Sequence, residues 1–296
     1  MADLKQILRR ADISLRLVYL NVAVFVVIAC VSVGFRLFNY RLGDALLWIE
    51  LPASPYRLLR QPWTLITYMF VHYDLLHLLF NMLWLYAFGR MFLDSFSAKH
   101  LRGLYVLGGL CGGLLYVVAY NVFPYFGPMV STSYLVGASA SVLAIVVAIA
   151  VRTPERVVRF FLLGGIRMKY LASIVIVLDL LLVTSSNAGG HIAHIGGALS
   201  GWAFAAGLNR GRDLTSWINR VIDFFTGLPA LPRRRRRQPK MKVHMGGSRR
   251  QADYDYNAER RARNAEIDRI LEKLKANGYQ SLTAEEKKAL FDASKR

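Results

Sequence analysis

Acidic residues are scarce in this chain. Its 296 residues hold 19 Asp and Glu against 38 Lys and Arg, a formal net charge of +19. A soluble nucleic-acid binder can carry such an excess, but it is rarely this apolar: 54% of the residues are hydrophobic and the mean hydropathy is +0.31. Charge and apolar surface must therefore occupy different parts of the chain, and no nucleic-acid partner is expected. Cysteine is scarce too. Cys30 and Cys111 both lie in apolar runs, so no disulfide framework exists and the redox compartment is not readable from them. No His-Glu-x-x-His string occurs, which excludes the helix-borne zinc site of a common metalloprotease class. No internal repeat occurs either, which argues against a transporter built from repeated halves.

What is present is a series of apolar stretches of about 20 residues, the length that spans a bilayer. They fall at about 17–33, 63–89, 103–123, 135–151, 169–185 and 191–208. The fold class expected is an all-α polytopic membrane protein with six transmembrane helices. The first stretch has no small-residue cleavage motif after it and reads as an anchor. Lys and Arg collect in loops that stay cytoplasmic. Lys5, Arg9, Arg10 and Arg16 precede the first span; Arg90, Lys99 and Arg102 follow the second; Arg152, Arg156, Arg159, Arg167 and Lys169 lie between the fourth and fifth. Loops 124–134 and 186–190 have none. Both termini are thus expected to be cytoplasmic. The first outer loop, about 34–62, is an exception with Arg36, Arg41, Arg57 and Arg60; its Pro52, Pro55, Pro62 and Trp48 suggest a structured interfacial segment.

Polar groups inside the spans are costly and point to function. His77 and Asn81 are four apart in FVHYDLLHLLFNM, on one helix face, with His72 and Asp74 nearer the outer end. Gly137, Ala138, Ser139, Ala140 and Ser141 open the fourth span. A serine at a helix start lies beside unpaired backbone N–H groups and the positive end of the helix dipole, which favour a developing oxyanion. In the sixth span Ala193, Gly197 and Gly201 form a small-xxx-small stripe that admits another helix to backbone contact. If that stripe packs on the small start of the fourth helix, His194 is carried to the hydroxyl of Ser139. A serine within reach of a histidine base is the minimum for nucleophilic acyl transfer.

These residues resemble the rhomboid family of intramembrane serine proteases. His72 followed by HLLFN carries the second-helix pattern, Gly137-Ala138-Ser139-Ala140 is similar to the family's Gly-x-Ser-Gly, and Ala193-His194 through Gly201 matches Ala-His-x-x-Gly-x-x-x-Gly. The resemblance covers roughly 15–209. It implies Ser139 as nucleophile, His194 as general base and then acid, and an oxyanion hole formed by Asn81, His77 and the backbone N–H of Ser139. No cofactor or metal is implied. Ala140 departs from the family glycine, and Leu143 stands where many rhomboids have a tyrosine stacked on the histidine. No carboxylate partner of His194 is evident, so the site reads as a Ser139/His194 dyad. Asp179, deep in an apolar run, suits a structural or protonated role better than an orienting one. As the single clear membrane aspartate it also leaves an intramembrane aspartyl protease without its second carboxylate. Ser141, turned about 200° from Ser139 on a helix, is a weak fallback nucleophile. His191 reads as a mouth residue bonded to solvent or loop backbone; His191 and His194 could join His72 and His77 on a metal, but without a carboxylate base. The implied reaction is endoproteolysis of other proteins' transmembrane segments near the outer face, with lateral access past the fifth helix and the 186–190 loop. The alternative is a catalytically silent rhomboid-like protein that binds membrane clients. The location implied is a multi-pass membrane protein, in the cytoplasmic membrane if the host is bacterial.

The expected organisation is a cytosolic segment 1–16, the rhomboid transmembrane domain 17–209, a basic disordered linker 210–252 and a small cytosolic helical domain 253–296. In the linker, Arg233, Arg234, Arg235, Arg236 and Arg237 lie between Pro232 and Pro239. They suit anionic lipid at about 1 kcal/mol per charge near the surface, and equally a stop-transfer signal. In the last domain Ile267, Ile270, Leu271 and Leu274 form a helical stripe, Asn277-Gly278 a stop, and Thr283 with Glu286 a capping box before a helix carrying Leu290 and Phe291. It is similar to the small C-terminal helical domain of some bacterial rhomboids.

Overall fold

The computed structural model describes residues 11–39, 43–160, 164–227, 258, 262, 264–276 and 278–294. Lys5, Arg9, Arg10, Arg41, the five arginines 233–237 with Pro232 and Pro239, and Asn277 lie outside the described residues. The chain divides into two compact units, Met1–Pro229 and Ala230–Arg296.

The first unit is an all-α polytopic membrane bundle. Its main helices are α1 (Ile13–Leu37), α2 (Leu75–Leu93), α3 (Ala98–Val122), α4 (Ser139–Arg152), α5 (Met168–Leu181), α6 (Ala188–Asn209) and α7 (Ser216–Gly227). Among the described residues α1, α2 and α3 are long and apolar enough to cross a membrane. The other expected spans are shorter or less apolar: α4 and α5 have 14 residues each, and α6 has 22 with several glycines and two histidines. Every residue of α4 from Ala140 to Ala150 is buried, because a helix apolar on all sides has no face to offer water. At about 1.5 Å per residue it is about 21 Å long, shorter than the roughly 30 Å hydrocarbon layer.

Small residues let α3, α4 and α6 meet at backbone contact. A Cβ on Gly197 would overlap the Ala140 carbonyl, and one on Gly201 the Ala144 carbonyl. A Cβ on Gly112 of α3 would lie 2.6 Å from Ala140 Cβ and 2.7 Å from the Ala193 oxygen, and one on Gly196 2.6 Å from the Cys111 oxygen. The stripe of α6 therefore does pack on the start of α4, in parallel register.

Two short ladders complete the unit. β1 (Leu51–Pro52) pairs antiparallel with β2 (Tyr134–Leu135), and β3 (Val157–Phe160) with β4 (Gly164–Arg167). The first ladder ties the segment after α1 to the chain entering α4. That segment is structured, as its prolines and Trp48 suggest: Trp48 and Trp63 stack at 6.0 Å, and Trp63 Nε1 donates to the Trp48 carbonyl at 2.7 Å. At the opposite end of the bundle, where α2 ends and α3 begins, ion pairs gather: Arg90–Asp12, Arg156–Asp94, Lys99–Asp223 and Arg102–Asp223. Arg102 and then Lys99 hold the Asp223 carboxyl below its ordinary range.

Helix α7 occupies a stretch expected to be disordered linker. Arg210, Arg212 and Arg220 mask an amphipathic pattern there: Ile218 and Asn219 are buried while Trp217, Val221, Phe224 and Phe225 are exposed along the other side. Asn219 accepts from Arg102 at 2.7 Å, which fixes α7 on the start of α3.

In the second unit, residues 264–276 are helical, followed by Ala284–Ser294. The capping box forms reciprocally, with Thr283 N–H on Glu286 Oε2 at 2.8 Å and Glu286 N–H on Thr283 Oγ1 at 3.2 Å. Gly278 takes φ +74, the left-handed stop that glycine permits. Ile270 and Leu282 are buried, whereas Leu271 and Phe291 are exposed.

Candidate active site

Helices α2, α4 and α6 begin at one end of the bundle, and α5 ends there. Ser139 is the first residue of α4 and is half-buried. The turn before it is tightly determined. Gly137 takes φ +114 and donates its N–H to the Tyr68 carbonyl at 2.9 Å. Ala138 donates its N–H to His72 Nε2 at 3.4 Å, which requires the His72 proton to sit on Nδ1. His72 is fully buried; this anchoring of the serine turn has no signature in the sequence beyond an imidazole near the span.

His77 packs directly on that turn. A Cβ on Gly137 would lie 3.0 Å from His77 Nε2 and 4.0 Å from Ser139 Oγ, so glycine here leaves room for the His77 imidazole beside the turn that carries Ser139. Asp74 caps α2 by accepting the His77 N–H at 2.6 Å. Asn81 is buried one turn along, and its Nδ2 donates to the His77 carbonyl at 3.0 Å. One amide hydrogen remains for another acceptor. Ser141 faces the other way: its hydroxyl is buried against Gly109 of α3 and has no hydrogen-bond partner among the described residues.

His194 precedes Gly197 by three residues and so shares its face of α6. With Gly197 on Ala140 and Gly201 on Ala144, the parallel register puts residue 194 level with Gly137, beside the start of α4. Its Nδ1 lies 2.9 Å from Asp179 Oδ1. The same oxygen lies 2.8 Å from His191 Nδ1. Two sequence readings are corrected here. His194 has a carboxylate partner, and His191 bonds that carboxylate instead of solvent or loop backbone. Asp179 is hidden in an apolar run, but it lies in the last turn of α5, which ends at Leu181, and the short turn to Ala188 brings it back onto the imidazoles. His191 and His194 do not join His72 and His77, whose rings pair with each other at 5.2 Å. Leu143 is buried in the bundle.

A cavity of about 590 Å³ opens at this end, lined by His77, Asp74, Tyr116, Tyr134, Val136 and Asn187 among others. Glu50, the residue before β1, is buried, and burial pushes its carboxyl up to about 7.

Residues 251–296 match a family of unknown function. The chain is 28% identical over 210 residues to the mitochondrial RHOMBOID-like protein 12 of Arabidopsis thaliana, covering 68% of this chain and 60% of that protein's length. The chain thus spans less than two thirds of the relative. A Rhomboid domain model matches residues 59–211, just over half of the chain, and the protein belongs to the rhomboid family.

Proposed function

We propose that the protein is an intramembrane serine endopeptidase that cleaves transmembrane segments of other membrane proteins. The observation that carries this reading is the hydrogen bond from His194 Nδ1 to Asp179; the approach of Gly197 to Ala140, three residues on from residue 194, supports His194 as the base for Ser139. With Nδ1–H held by the carboxylate, Nε2 keeps its lone pair and is the nitrogen available as base.

Ser139 Oγ attacks the scissile carbonyl carbon while His194 Nε2 takes its proton. The oxyanion receives the free Asn81 amide hydrogen, the His77 ring N–H and the Ser139 backbone N–H, reinforced by the start of α4. Collapse breaks the C–N bond as His194 returns the proton to the leaving amine. Water then attacks the acyl-serine, His194 accepts its proton, and the proton passes back to Ser139. The Asp179 carboxylate steadies the imidazolium, extending the dyad to a triad.

The short α4 supports a nucleophile recessed from the membrane surface, and the cavity bounded by His77 and Val136 supports a route for water toward it. The basic end of the bundle lies opposite the site, which supports cytoplasmic termini and an outward-facing site. The run Arg233 to Arg237 suits anionic lipid.

The test is reconstitution of the full chain with a transmembrane peptide, following cleavage and fluorophosphonate labelling of wild type, Ser139→Ala, Ser141→Ala and His194→Ala. Loss of both signals in the Ser139 and His194 variants alone is expected. A folded wild type that neither labels nor cleaves would overturn the reading in favour of a silent client-binding protein.

A further inference from the structure

We propose that Asp179, His191 and His194 form a binding site for a divalent transition-metal ion of the zinc type, and that filling it switches off the catalytic base. The inhibitory half of this inference rests on the reading of His194 as base; the binding half does not.

The geometry begins with one carboxylate. Asp179 Oδ1 takes both imidazoles, His191 Nδ1 at 2.8 Å and His194 Nδ1 at 2.9 Å. The other oxygen, Oδ2, is buried and has no hydrogen-bond partner among the described residues, in a residue only 4% exposed. A buried carboxylate oxygen without a donor is costly, and a carboxylate whose other oxygen already holds two imidazoles offers a cation a compensating place. The donor atoms of the three residues lie within 4.8 Å of one another.

The donor set suits zinc. Two imidazole nitrogens and a carboxylate oxygen match its ligand preferences, whereas calcium and magnesium call for oxygen alone. At bond lengths of about 2.0–2.2 Å, tetrahedral ligand atoms stand about 3.4 Å apart. Each ring therefore withdraws about half an ångström from Oδ1 to admit the ion, and Oδ2 or water completes the coordination. Both histidine side chains keep some exposure, 16% and 21%. Gly189 and Gly190, immediately before His191, line the open cavity and give a path from solvent.

The consequence follows from the tautomer. Coordination needs the lone pair on Nδ1, so each neutral ring loses its Nδ1 proton to solvent and gains one at Nε2. No bond in the chain breaks and no electron is transferred. His194 Nε2 then carries a hydrogen and cannot accept the one on Ser139. The carboxylate that orients the base in the metal-free site becomes part of the trap that disables it.

The experiment is equilibrium dialysis of the reconstituted full chain against buffered Zn²⁺, with bound metal measured by atomic emission and peptide cleavage measured in parallel. Co²⁺ in place of zinc gives a second readout, the visible bands of a four-coordinate site. Wild type should bind one ion, lose more than about 10-fold of its cleavage rate as the site fills, and recover on chelation. Ser139→Ala should bind equally. His191→Gln, which keeps a donor for Asp179, should bind about 100-fold more weakly, with a thermal melt to establish that it is folded. Wild type without bound metal, or a folded His191→Gln that binds as well as wild type, overturns the site. Metal bound at the cluster with full cleavage overturns the inhibition. A chain that binds zinc but never cleaves without it leaves the site standing and sinks the protease reading.

Discussion

Replacing Asp179 separates the charge of the carboxylate from its geometry. Asparagine retains a carbonyl oxygen that can accept both Nδ1–H groups, and its NH₂ falls where Oδ2 has no partner. What is lost is the charge. A hydrogen bond to a charged group contributes about 1.5–3 kcal/mol against about 0.5–1.5 for a neutral one. The difference of about 1–1.5 kcal/mol applies most strongly when His194 becomes an imidazolium. Asp179→Asn should therefore lower kcat by about 5–15-fold with KM nearly unchanged. Alanine removes the acceptor altogether. Two largely buried Nδ1–H groups are stranded at about 1–3 kcal/mol each, and the base is free to turn and to choose the wrong tautomer. Asp179→Ala should lose about 2–6 kcal/mol of stability and about 10²–10³-fold in kcat. The assay is steady-state cleavage of a transmembrane peptide in proteoliposomes with a chelator present, paired with thermal melts. If Asp179→Ala melts earlier yet keeps wild-type kcat per folded molecule, the carboxylate merely joins α5 to α6 and the triad is wrong.

Other outcomes follow from the same structure. Gly197→Ala forces α6 off the Ala140 carbonyl; overpacking of this kind costs about 1–3 kcal/mol, and a shift of about 1 Å between His194 and Ser139 should cost about 10²-fold in kcat/KM. Leu199→Ala, on the exposed side of the same helix, is the control, and full activity in the glycine variant would refute the seam. Gly137→Ala has to hold φ +114 and displace the His77 ring, so acyl-enzyme formation should slow by about 10²-fold, read as the fluorophosphonate labelling rate. Glu50 is pushed up from 4.5 to about 7, so the folded chain holds a proton that the unfolded chain releases. The folded state therefore loses stability as pH rises from about 4.5 to 7, on the order of 1–3 kcal/mol in all. Glu50→Gln should match wild type in melting temperature at pH 4 and exceed it at pH 8; an equal gap at both values would contradict the assignment.

The covalent pattern made much of this protein legible. Apolar runs of spanning length, basic residues gathered in alternate loops apart from the first outer one, and small residues every fourth position in 193–201 announce a helical membrane bundle with one close seam. The serine at the start of α4, the His77 and Asn81 pair and the imidazole beside the stripe followed from the 3.6-residue period, which puts residues three and four apart on one face. Other features escaped this reading. Helix α7 was hidden because its arginines dominate composition while its apolar face emerges only at helical spacing. The anchoring of Ala138 by His72 joins residues 66 apart, and no local period reports such a pair. Asp179 is the sharpest case. In the sequence it is one acid in an apolar run, indistinguishable from a buried protonated group. Its contacts with His191 and His194 were decided by the turn between α5 and α6, which folds the end of one helix back onto the first turns of the next. Helical period determines which residues share a face; only the packing of helices determines what that face meets, because contact between segments depends on crossing and depth, which no single segment encodes.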